Sequence, residues 1–337
     1  MNNVAAATPI ALEDAFYDLL AGGAKYLLLL SALDLQLPAL LSGRAVPADE
    51  IVASLQLEPH RGRKWLHALK LTGLIVDTGS GYSNSPNVEA LFGPYSGGWF
   101  HNEFVRYFRY SASQELVGVL RGGPVGYEVR YPPQDWNDVV LLHEWMRNTA
   151  ISTLFTIERH VDFRQVSKLL DVGGGDGTMA TILATRYPNL SITVFNIPAA
   201  VALTESRIAE AGVTGRVNTV AGDFRTNDPF PQGYDMVMFS RVMADWPPEV
   251  CRSLMLKSKE ALNPQGKLVI CEPLSDQNEA LAVAWEHSYI PYDDFGLCCY
   301  KPLSMYEKML REAGFHIMDI APRDASTIHC VIVSERD

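Results

Sequence analysis

A glycine-rich run near the middle of the chain has the residue types of a ligand-binding loop. It reads Asp171-Val172-Gly173-Gly174-Gly175-Asp176-Gly177-Thr178, with an apolar strand predicted before it and a helix after it. Glycine accepts positive φ angles and lets a ligand approach the bare backbone. The start of the helix offers unpaired N–H groups to a carboxylate or phosphate. This order predicts a nucleotide-type binding site, and a tight connection that binds nothing is the alternative.

Polar side chains end the strands that follow. Asn196 ends the second predicted strand, Asp223 and Phe224 follow the third, and Ser240 and Arg241 follow the fourth. The carboxyl ends of parallel strands meet at one edge of a sheet, where ligands bind. An amide there suits ribose hydroxyls, and Asp223 with Phe224 suits an adenine amine and ring face. No Walker lysine follows the glycines, which argues against a triphosphate P-loop, whereas these residues do not exclude a nicotinamide dinucleotide.

The glycine run behind the acidic Asp171 resembles motif I of class I S-adenosylmethionine (SAM) methyltransferases. The resemblance extends over nearly the whole chain to the small-molecule O-methyltransferases typified by plant caffeate and bacterial natural-product enzymes. It implies an α/β, Rossmann-like domain with a mostly parallel seven-stranded sheet and a C-terminal antiparallel hairpin. It also implies SAM as cofactor with S-adenosylhomocysteine as product, no metal, a small-molecule acceptor, and a homodimer formed through the N-terminal domain.

The resemblance also implies positions for the parts of SAM. The methionyl end should lie by Asp171, Gly173 and Gly175, the ribose by Asn196 and Ile197, and the adenine by Asp223, Phe224 and Trp246, with Ser240 beside them. Arg241 is predicted to hold the SAM carboxylate or an anionic acceptor group, and a structural ion pair is the alternative.

The catalytic residues of the family are only partly present. The family has a histidine directly before the Asp-Trp pair, and it deprotonates the acceptor hydroxyl. Here that position is Ala244, although Asp245 and Trp246 remain. The first carboxylate partner of that histidine matches Glu272, and the second maps close to Tyr300. The resemblance therefore implies that the standard acid–base machinery is largely absent.

Three interpretations stay open. Methyl transfer to an amine, or to a phenol or enol already ionised, needs positioning rather than a protein base. In the second interpretation another residue replaces the base, namely His287 oriented by Glu272 or Glu286. The catalytic candidates are then His287, Glu272 and Asp245. The third is a scaffold that no longer methylates and either uses SAM only structurally or binds another ligand. A metal site from Asp245, His287 and an acid is chemically conceivable, but the spacing is not compact and no metal is predicted.

Aromatic residues crowd the region 83–160, where a mostly apolar pocket suits a flat acceptor. By resemblance, the acceptor pocket is lined by Glu103, Phe108, Leu142, Met146, His287, Ile290 and Phe295. Ordinary core packing is the alternative for most of these side chains.

The N-terminal part has a helical pattern over 11–41, then two short helices and a β-wing typical of a winged helix. Its basic cluster, from His60 to Lys64, is small in an acidic protein, so we predict dimerisation rather than DNA binding. The apolar run Tyr26–Leu30 is either a core helix or a subunit interface. The predicted domains are 1–95, a winged-helix-like dimerisation domain; 96–160, a helical linker contributing to the acceptor pocket; and 161–337, the SAM-binding domain.

Composition limits the function classes. The chain has 337 residues, 47% of them hydrophobic, and a net charge of −11, which disfavours nucleic acid as a partner. Five cysteines without a C-x-x-C pair suggest reduced thiols. With no signal peptide, and with the longest apolar run over 26–33, a soluble cytoplasmic protein is predicted.

We therefore expect SAM-dependent methylation of a small, aromatic or polyketide-like secondary metabolite. Oxygen is the expected acceptor atom because the chain resembles O-methyltransferases. Carbon or nitrogen methylation is the alternative, and so is a SAM-binding enzyme that does not methylate. A ligand-binding winged-helix regulator is the alternative from another class, and the acidic charge opposes it.

Overall fold

The computed structural model describes residues 9–93, 105, 108–109, 111–126, 133, 136–292, 297–323 and 327–337. The chain divides into two compact units, Met1–Tyr107 and Phe108–Asp337. The predicted boundaries at residues 95 and 160 stay predictions.

The first unit is mainly helical with a small antiparallel wing. Its elements are α1 (Pro9–Asp34), α2 (Leu37–Leu41), α3 (Ala48–Ser54), α4 (Pro59–Thr72), β1 (Ile75–Asp77), β2 (Tyr82–Asn84) and α5 (Pro86–Phe92). The helical pattern over 11–41 is two helices, because Gln36 adopts φ 55° between them. The Glu58 carboxylate accepts the backbone N–H groups of His60 and Arg61 and so caps the start of α4.

Helix α1 leaves much of its apolar surface exposed within the first unit. Leu19 is 79% exposed and Leu27 66% exposed. The segment Asp14–Asp34, with a mean hydropathy of 1.3, is long and apolar enough to cross a membrane by length and composition. The uninterrupted apolar run over 26–33 is only part of this segment, so the prediction based on that run underestimated its length. One such helix is weak support for a span, because core helices and signal sequences have the same composition.

The second unit is a seven-stranded sheet covered by helices. Its helices are α6 (Leu116–Leu120), α7 (Trp136–His160), α8 (Thr178–Arg186), α9 (Pro198–Glu210), α10 (Pro248–Ala261), α11 (Glu279–Tyr289) and α12 (Leu303–Glu312). Its strands are β3 (Lys168–Val172), β4 (Ser191–Asn196), β5 (Val217–Ala221), β6 (Tyr234–Ser240), β7 (Leu262–Glu272), β8 (Phe315–Ala321) and β9 (Cys330–Arg336). Two single 3-10 turns, Phe163–Gln165 and Met243–Asp245, complete it.

The sheet confirms the predicted fold class. Its strand order is β5-β4-β3-β6-β7-β9-β8. The first five strands of that order are parallel, whereas β9 pairs antiparallel with both β7 and β8. Strand β3 is buried on both faces, since Leu170 packs with α10 and α12 and Leu169 packs with α7 and α8. Burial on both faces explains why its sequence is a continuous apolar run rather than an alternating one.

Two buried tyrosines allow a matched stability test. The hydroxyl of Tyr306 on α12 is buried and has no hydrogen-bond partner among the described residues. The hydroxyl of Tyr234 on β6 donates to the Thr193 hydroxyl at 2.9 Å. Because an unsatisfied buried hydroxyl is costly, Tyr306→Phe should raise the free energy of unfolding by about 1 kcal/mol, and Tyr234→Phe should lower it by about 1 kcal/mol. Chemical denaturation of both variants measures the difference, and a loss of stability in Tyr306→Phe would contradict the assignment.

Candidate active site

The glycine loop between β3 and α8 brings bare backbone to the edge of the sheet. Gly173 adopts φ 71°, and its N–H donates to the Phe195 carbonyl at 2.8 Å. A Cβ at Gly173 would lie 2.8 Å from a methyl group of Val242, and one at Gly174 would collide with the Asp171 carboxylate. A side chain at either position would therefore collide with the packed neighbours of the loop.

Two side chains from neighbouring elements fix the loop by its Gly175 carbonyl. This oxygen accepts from the Asn196 amide at 2.9 Å and from the Thr204 hydroxyl at 3.0 Å. The Asn196 amide oxygen also accepts the N–H of Ile197 at 2.8 Å. Asn196 therefore lies at the predicted strand end and positions the loop, and its contact with ribose stays a prediction.

Asp171, at the end of β3, carries an unpaired carboxyl group. It is buried, and its Oδ2 atom has no hydrogen-bond partner among the described residues. Burial raises the pKa of Asp171 to about 7, against the opposing effect of the Arg241 charge. A buried acceptor without a donor is costly, so this position suits a ligand that brings an ammonium group.

One cleft joins most of the predicted methionyl-end residues. It encloses about 360 Å³ of empty space, part of it open to solvent. Its lining comprises Met146, Arg147, Ala150, Asp171, Gly173, Gly174, Gly175, Asp176, Thr178, Met179, Ser240 and Arg241. Met146, predicted for the acceptor, therefore shares a cleft with residues predicted for SAM.

Arg241 ties the end of β6 to helix α7. Its guanidinium donates to the Thr149 hydroxyl and, at 2.9 Å, to the Met146 carbonyl. Its backbone has φ 59°, and its N–H donates to the Cys271 carbonyl at 3.0 Å. Burial lowers the pKa of Arg241 to about 10. These are structural bonds to neutral acceptors rather than the ion pair named as the alternative, and a contact with an anionic ligand stays a prediction.

The predicted adenine residues meet beside the loop. The rings of Phe224 and Trp246 are in edge contact, with centroids 5.7 Å apart. Asp223 forms an ion pair with Arg225 at 2.7 Å, and the Arg225 guanidinium lies 5.5 Å from the centre of the Trp246 ring. The structure thus brings Asp223, Phe224 and Trp246 together and adds Arg225.

The turn Met243–Asp245 is held by two buried ionisable side chains. Glu272, at the end of β7, accepts the N–H groups of Val242 at 2.7 Å and Met243 at 2.8 Å. From the other side, the Lys301 ammonium donates to the Met243 carbonyl at 2.8 Å. Burial raises the pKa of Glu272 to about 8, although the two N–H donors oppose the shift. Ala244, on this turn, is only 5% exposed.

Asp245 connects the same turn to helix α11. Its carboxylate accepts the Tyr289 hydroxyl at 2.9 Å. Burial raises the pKa of Asp245 to about 6, and the bond from Tyr289 opposes that shift. The group therefore keeps its negative charge at neutral pH.

The predicted acceptor residues fall into two groups in the described part of the chain. Leu142 and Met146 lie on α7, and His287 and Ile290 lie on or directly after α11. Phe108 packs edge-on against Trp285 of α11, with ring centroids 5.2 Å apart, and Trp285 stacks on Tyr300 at 5.6 Å. Glu103 and Phe295 lie outside the described residues.

His287 is not oriented by either predicted carboxylate. It is half-buried on α11. Glu272 accepts from the turn, as described, and Glu286 accepts the N–H of Tyr300 at 3.2 Å. Within the described ranges, no three His, Cys, Asp or Glu side chains are grouped as metal ligands would be.

Sequence reasoning missed Lys301, Arg147 and Thr178. Lys301 is fully buried, yet nothing in its sequence surroundings predicts burial. Thr178 follows the glycine run directly and carries a hydroxyl, which is a usable signal for a ligand contact. Arg147, one residue after Met146, is visible only once α7 is placed beside the loop.

The comparison with known proteins decides the family. The O-methyltransferase domain family matches residues 127–316. The chain belongs to this family. The resemblance found in the sequence is thus confirmed, and the protein is a SAM-dependent methyltransferase that acts on a small molecule.

Similar proteins fit this assignment. The chain is 29% identical over 303 residues to the N,N-dimethyltransferase OxyT of Streptomyces rimosus, covering 85% of this chain and 86% of that protein. It is 36% identical over 159 residues to an L-tyrosine C(3)-methyltransferase of Streptomyces lavendulae, covering 46% of this chain and 43% of that protein. The crystal structure of the SAM-dependent methyltransferase SibL has a TM-score of 0.79 at 27% identity, covering 96% of this chain and 98% of that one.

The cleft of this methyltransferase fits the cofactor of the family. The buried Asp171 Oδ2 atom, which lacks a donor, would suit an ammonium group, and Gly173, Gly174 and Gly175 line the cleft. Phe224, which follows β5, packs edge-on against the buried Trp246.

Asp171 should make SAM affinity depend on pH. An ammonium group binds the ionised carboxylate, so affinity should fall about tenfold per pH unit below the carboxyl pKa of about 7. Affinity should fall again above a pH of about 8, where an α-amino group loses its proton. Asp171→Asn should weaken binding by about 10- to 100-fold, the effect of one charged hydrogen bond, and remove the low-pH decline. Titration calorimetry with SAM at several pH values measures both effects.

A thermal unfolding scan at pH 8 controls for misfolding. Burial penalises the ionised Asp171, so stability falls as pH rises from the ordinary carboxyl pKa towards about 7. Asparagine relieves that penalty, and the variant should be at least as stable as the native protein. Unchanged SAM affinity in a folded Asp171→Asn variant would contradict the role of Asp171.

Proposed function

We propose that this enzyme transfers the methyl group of SAM to a small aromatic or polyketide-like secondary metabolite, at the oxygen of an acidic phenol or enol. The observation that carries the proposal is the turn after β6, where Ala244 stands in place of a basic side chain while Glu272 and Lys301 still hold the backbone. The turn thus keeps its backbone hydrogen bonds although Ala244 supplies no imidazole.

When bound, SAM supplies an electrophilic methyl group on a sulfonium sulfur. The chain contributes position: the loop and Asp171 hold the methionyl end, and the edge of Phe224 and Trp246 holds the adenine. Holding two reactants in line at about 3–3.5 Å lowers the barrier without proton transfer in the transition state. An acceptor oxygen that is already ionised near neutral pH needs this positioning and no protein base.

The aromatic residues beside α11 support a flat acceptor. Phe108, Trp285 and Tyr300 form a connected cluster of rings. Flat apolar surfaces with few polar groups are typical of sites for aromatic ligands. Leu142, Met146 and Ile290, with Glu103 and Phe295, remain the proposed lining of this pocket.

For an acceptor that keeps its proton, two bases are available. Asp245 is ionised at neutral pH, because its pKa is raised only to about 6. His287 on α11 is the other candidate and would act without an orienting carboxylate from Glu272 or Glu286. With either group, the acceptor proton moves to the side chain as the acceptor takes the methyl group.

Nitrogen methylation is the second candidate. A neutral amine is nucleophilic without a base, which is consistent with Ala244 at this position. The relative OxyT, which the chain matches over 86% of its length, is named an N,N-dimethyltransferase. Carbon methylation has a similar precedent in the relative named for L-tyrosine.

We also propose that the enzyme is a cytoplasmic homodimer formed through the N-terminal unit. Support comes from the exposed apolar side chains of α1, which include Phe16, Leu19, Leu20 and Leu27. Such side chains are normally covered in a folded assembly. A second copy of the chain is the proposed cover.

The direct test of the reaction uses SAM with a 13C-labelled methyl group. The purified protein is incubated with a panel of phenolic, enolic and amino aromatic compounds and with a crude metabolite extract. Mass spectrometry and NMR should find a product labelled on oxygen. A label on nitrogen or carbon would contradict oxygen as the acceptor atom and would support nitrogen or carbon methylation instead. SAM binding without any labelled product across authentic acceptors would contradict methyl transfer and favour a non-methylating enzyme.

A further inference from the structure

An arginine directly after the residues predicted for adenine binds the carboxylate predicted for the adenine amine. The Arg225 guanidinium donates from Nε to Oδ1 of Asp223 at 3.0 Å and from Nη2 to Oδ2 at 2.7 Å. The backbone N–H of Arg225 also donates to Oδ1, at 2.9 Å. Both carboxylate oxygens of Asp223 are therefore engaged by one neighbouring residue. The bonds from the guanidinium hold the pKa of Asp223 below its usual range, so this carboxylate is ionised at neutral pH.

The same guanidinium lies over an aromatic ring that is predicted for adenine. Its central carbon is 5.5 Å from the centre of the Trp246 ring, which is within the range of a cation–π contact. A guanidinium is flat and carries its N–H donors in its plane. The adenine base is also flat, and its exocyclic amine is an N–H donor. Arg225 thus makes the contacts, to a carboxylate and to an aromatic ring, that are predicted for the adenine.

The backbone of this loop is held independently of the guanidinium. The Lys257 ammonium on α10 donates to the Phe224 carbonyl at 3.0 Å and to the Thr226 carbonyl. The N–H of Thr226 donates to the Asp223 carbonyl at 3.0 Å. The Arg225 side chain is 34% exposed, so its rotation into solvent requires no movement of this backbone.

We propose that Arg225 is an intramolecular competitor for the adenine of SAM, which displaces the guanidinium from Asp223 and Trp246 when it binds. SAM and its product S-adenosylhomocysteine contain the same adenosine, so the competition weakens the binding of both. The effect is modest, because a partly exposed ion pair contributes little stability. The proposal rests on the predicted position of the adenine and not on the acceptor or on methyl transfer.

The binding of 5′-methylthioadenosine tests the competition. This uncharged nucleoside contains the adenosine of SAM without the sulfonium and the methionyl charges, so it reports on the adenine and ribose sites alone. Arg225→Met keeps a long side chain and removes its charge and its N–H donors. Calorimetry should show that this variant binds the nucleoside about 3- to 10-fold more tightly than the native protein does. The affinity for S-adenosylhomocysteine should rise by the same factor.

The salt dependence of the same binding is a second readout. Raising the salt concentration from about 0.05 M to about 0.5 M screens a partly exposed ion pair. The native protein should therefore bind the uncharged nucleoside more tightly at high salt than at low salt. Arg225→Met has no such pair to screen, so its affinity should change by a smaller factor.

Two variants on α10 control for other causes. Lys257→Met removes the bonds that hold the loop backbone and should weaken nucleoside binding, so a gain in Arg225→Met cannot come from a loosened loop. Arg252→Met removes an exposed ion pair with Glu312, formed at 3.1 Å away from these contacts. It should leave the affinity for the nucleoside unchanged.

The outcomes separate this inference from the proposed function. If Arg225→Met binds the nucleoside with the native affinity, or less tightly, the competition is wrong, and weaker binding would show that the guanidinium supports the adenine instead. Labelled product from the native enzyme would then still support methyl transfer. A native enzyme that forms no product would contradict the proposed function and leave a measured gain in nucleoside affinity intact.

Discussion

The catalytic end of the sheet depends on two buried ionisable side chains that hold one backbone turn. Glu272 accepts two N–H groups of the turn and Lys301 donates to its Met243 carbonyl, and both side chains are almost completely buried. Removing one partner of such an arrangement leaves a buried charge or unpaired polar groups, which is strongly destabilising. The turn is therefore fixed in place, and with it Trp246, on the side proposed for adenine, and Asp245 with its bond to α11.

This constraint explains how the turn stays in place although Ala244 is not a base. The resemblance implies that the glutamate matching Glu272 is the partner of a histidine in the family, whereas in this chain Glu272 bonds to backbone. Its contribution in this chain is to position the turn, because its carboxyl group accepts the N–H groups of Val242 and Met243 and no imidazole stands at Ala244. Arg241 adds a second connection, from β6 to α7, so that the helix bearing Met146 and Arg147 is fixed against the SAM cleft. The protein is therefore proposed to act by positioning the two reactants. The reactivity comes from the methyl group of SAM and from the acidity of the acceptor.

The sequence predicted the fold class and the SAM loop because both are local or repeating signals. The glycine run, the polar strand ends and the alternation of strands and helices can be recognised without tertiary contacts. It did not predict the break at Gln36, since the apolar period continues across it. It also could not assign Lys301 or Arg147, whose partners or surroundings come from distant segments. For Asn196 and Arg241 it identified residues at the right edge, but their bonds to Gly175 and to α7 depend on how the helices pack.

The measurement that tests the positioning account most directly is the single-turnover rate of methyl transfer, measured against pH for the native enzyme, Ala244→His and Ala244→Gln. The acceptor is the one that the labelled-methyl experiment identifies, and glutamine serves as a size control without a basic nitrogen. The account predicts that histidine gives no rate advantage over glutamine at any pH, because the acceptor atom is nucleophilic without a protein base. A rate for Ala244→His that exceeds both other proteins and rises with deprotonation of an imidazole, at a pKa near about 6.5, would contradict it.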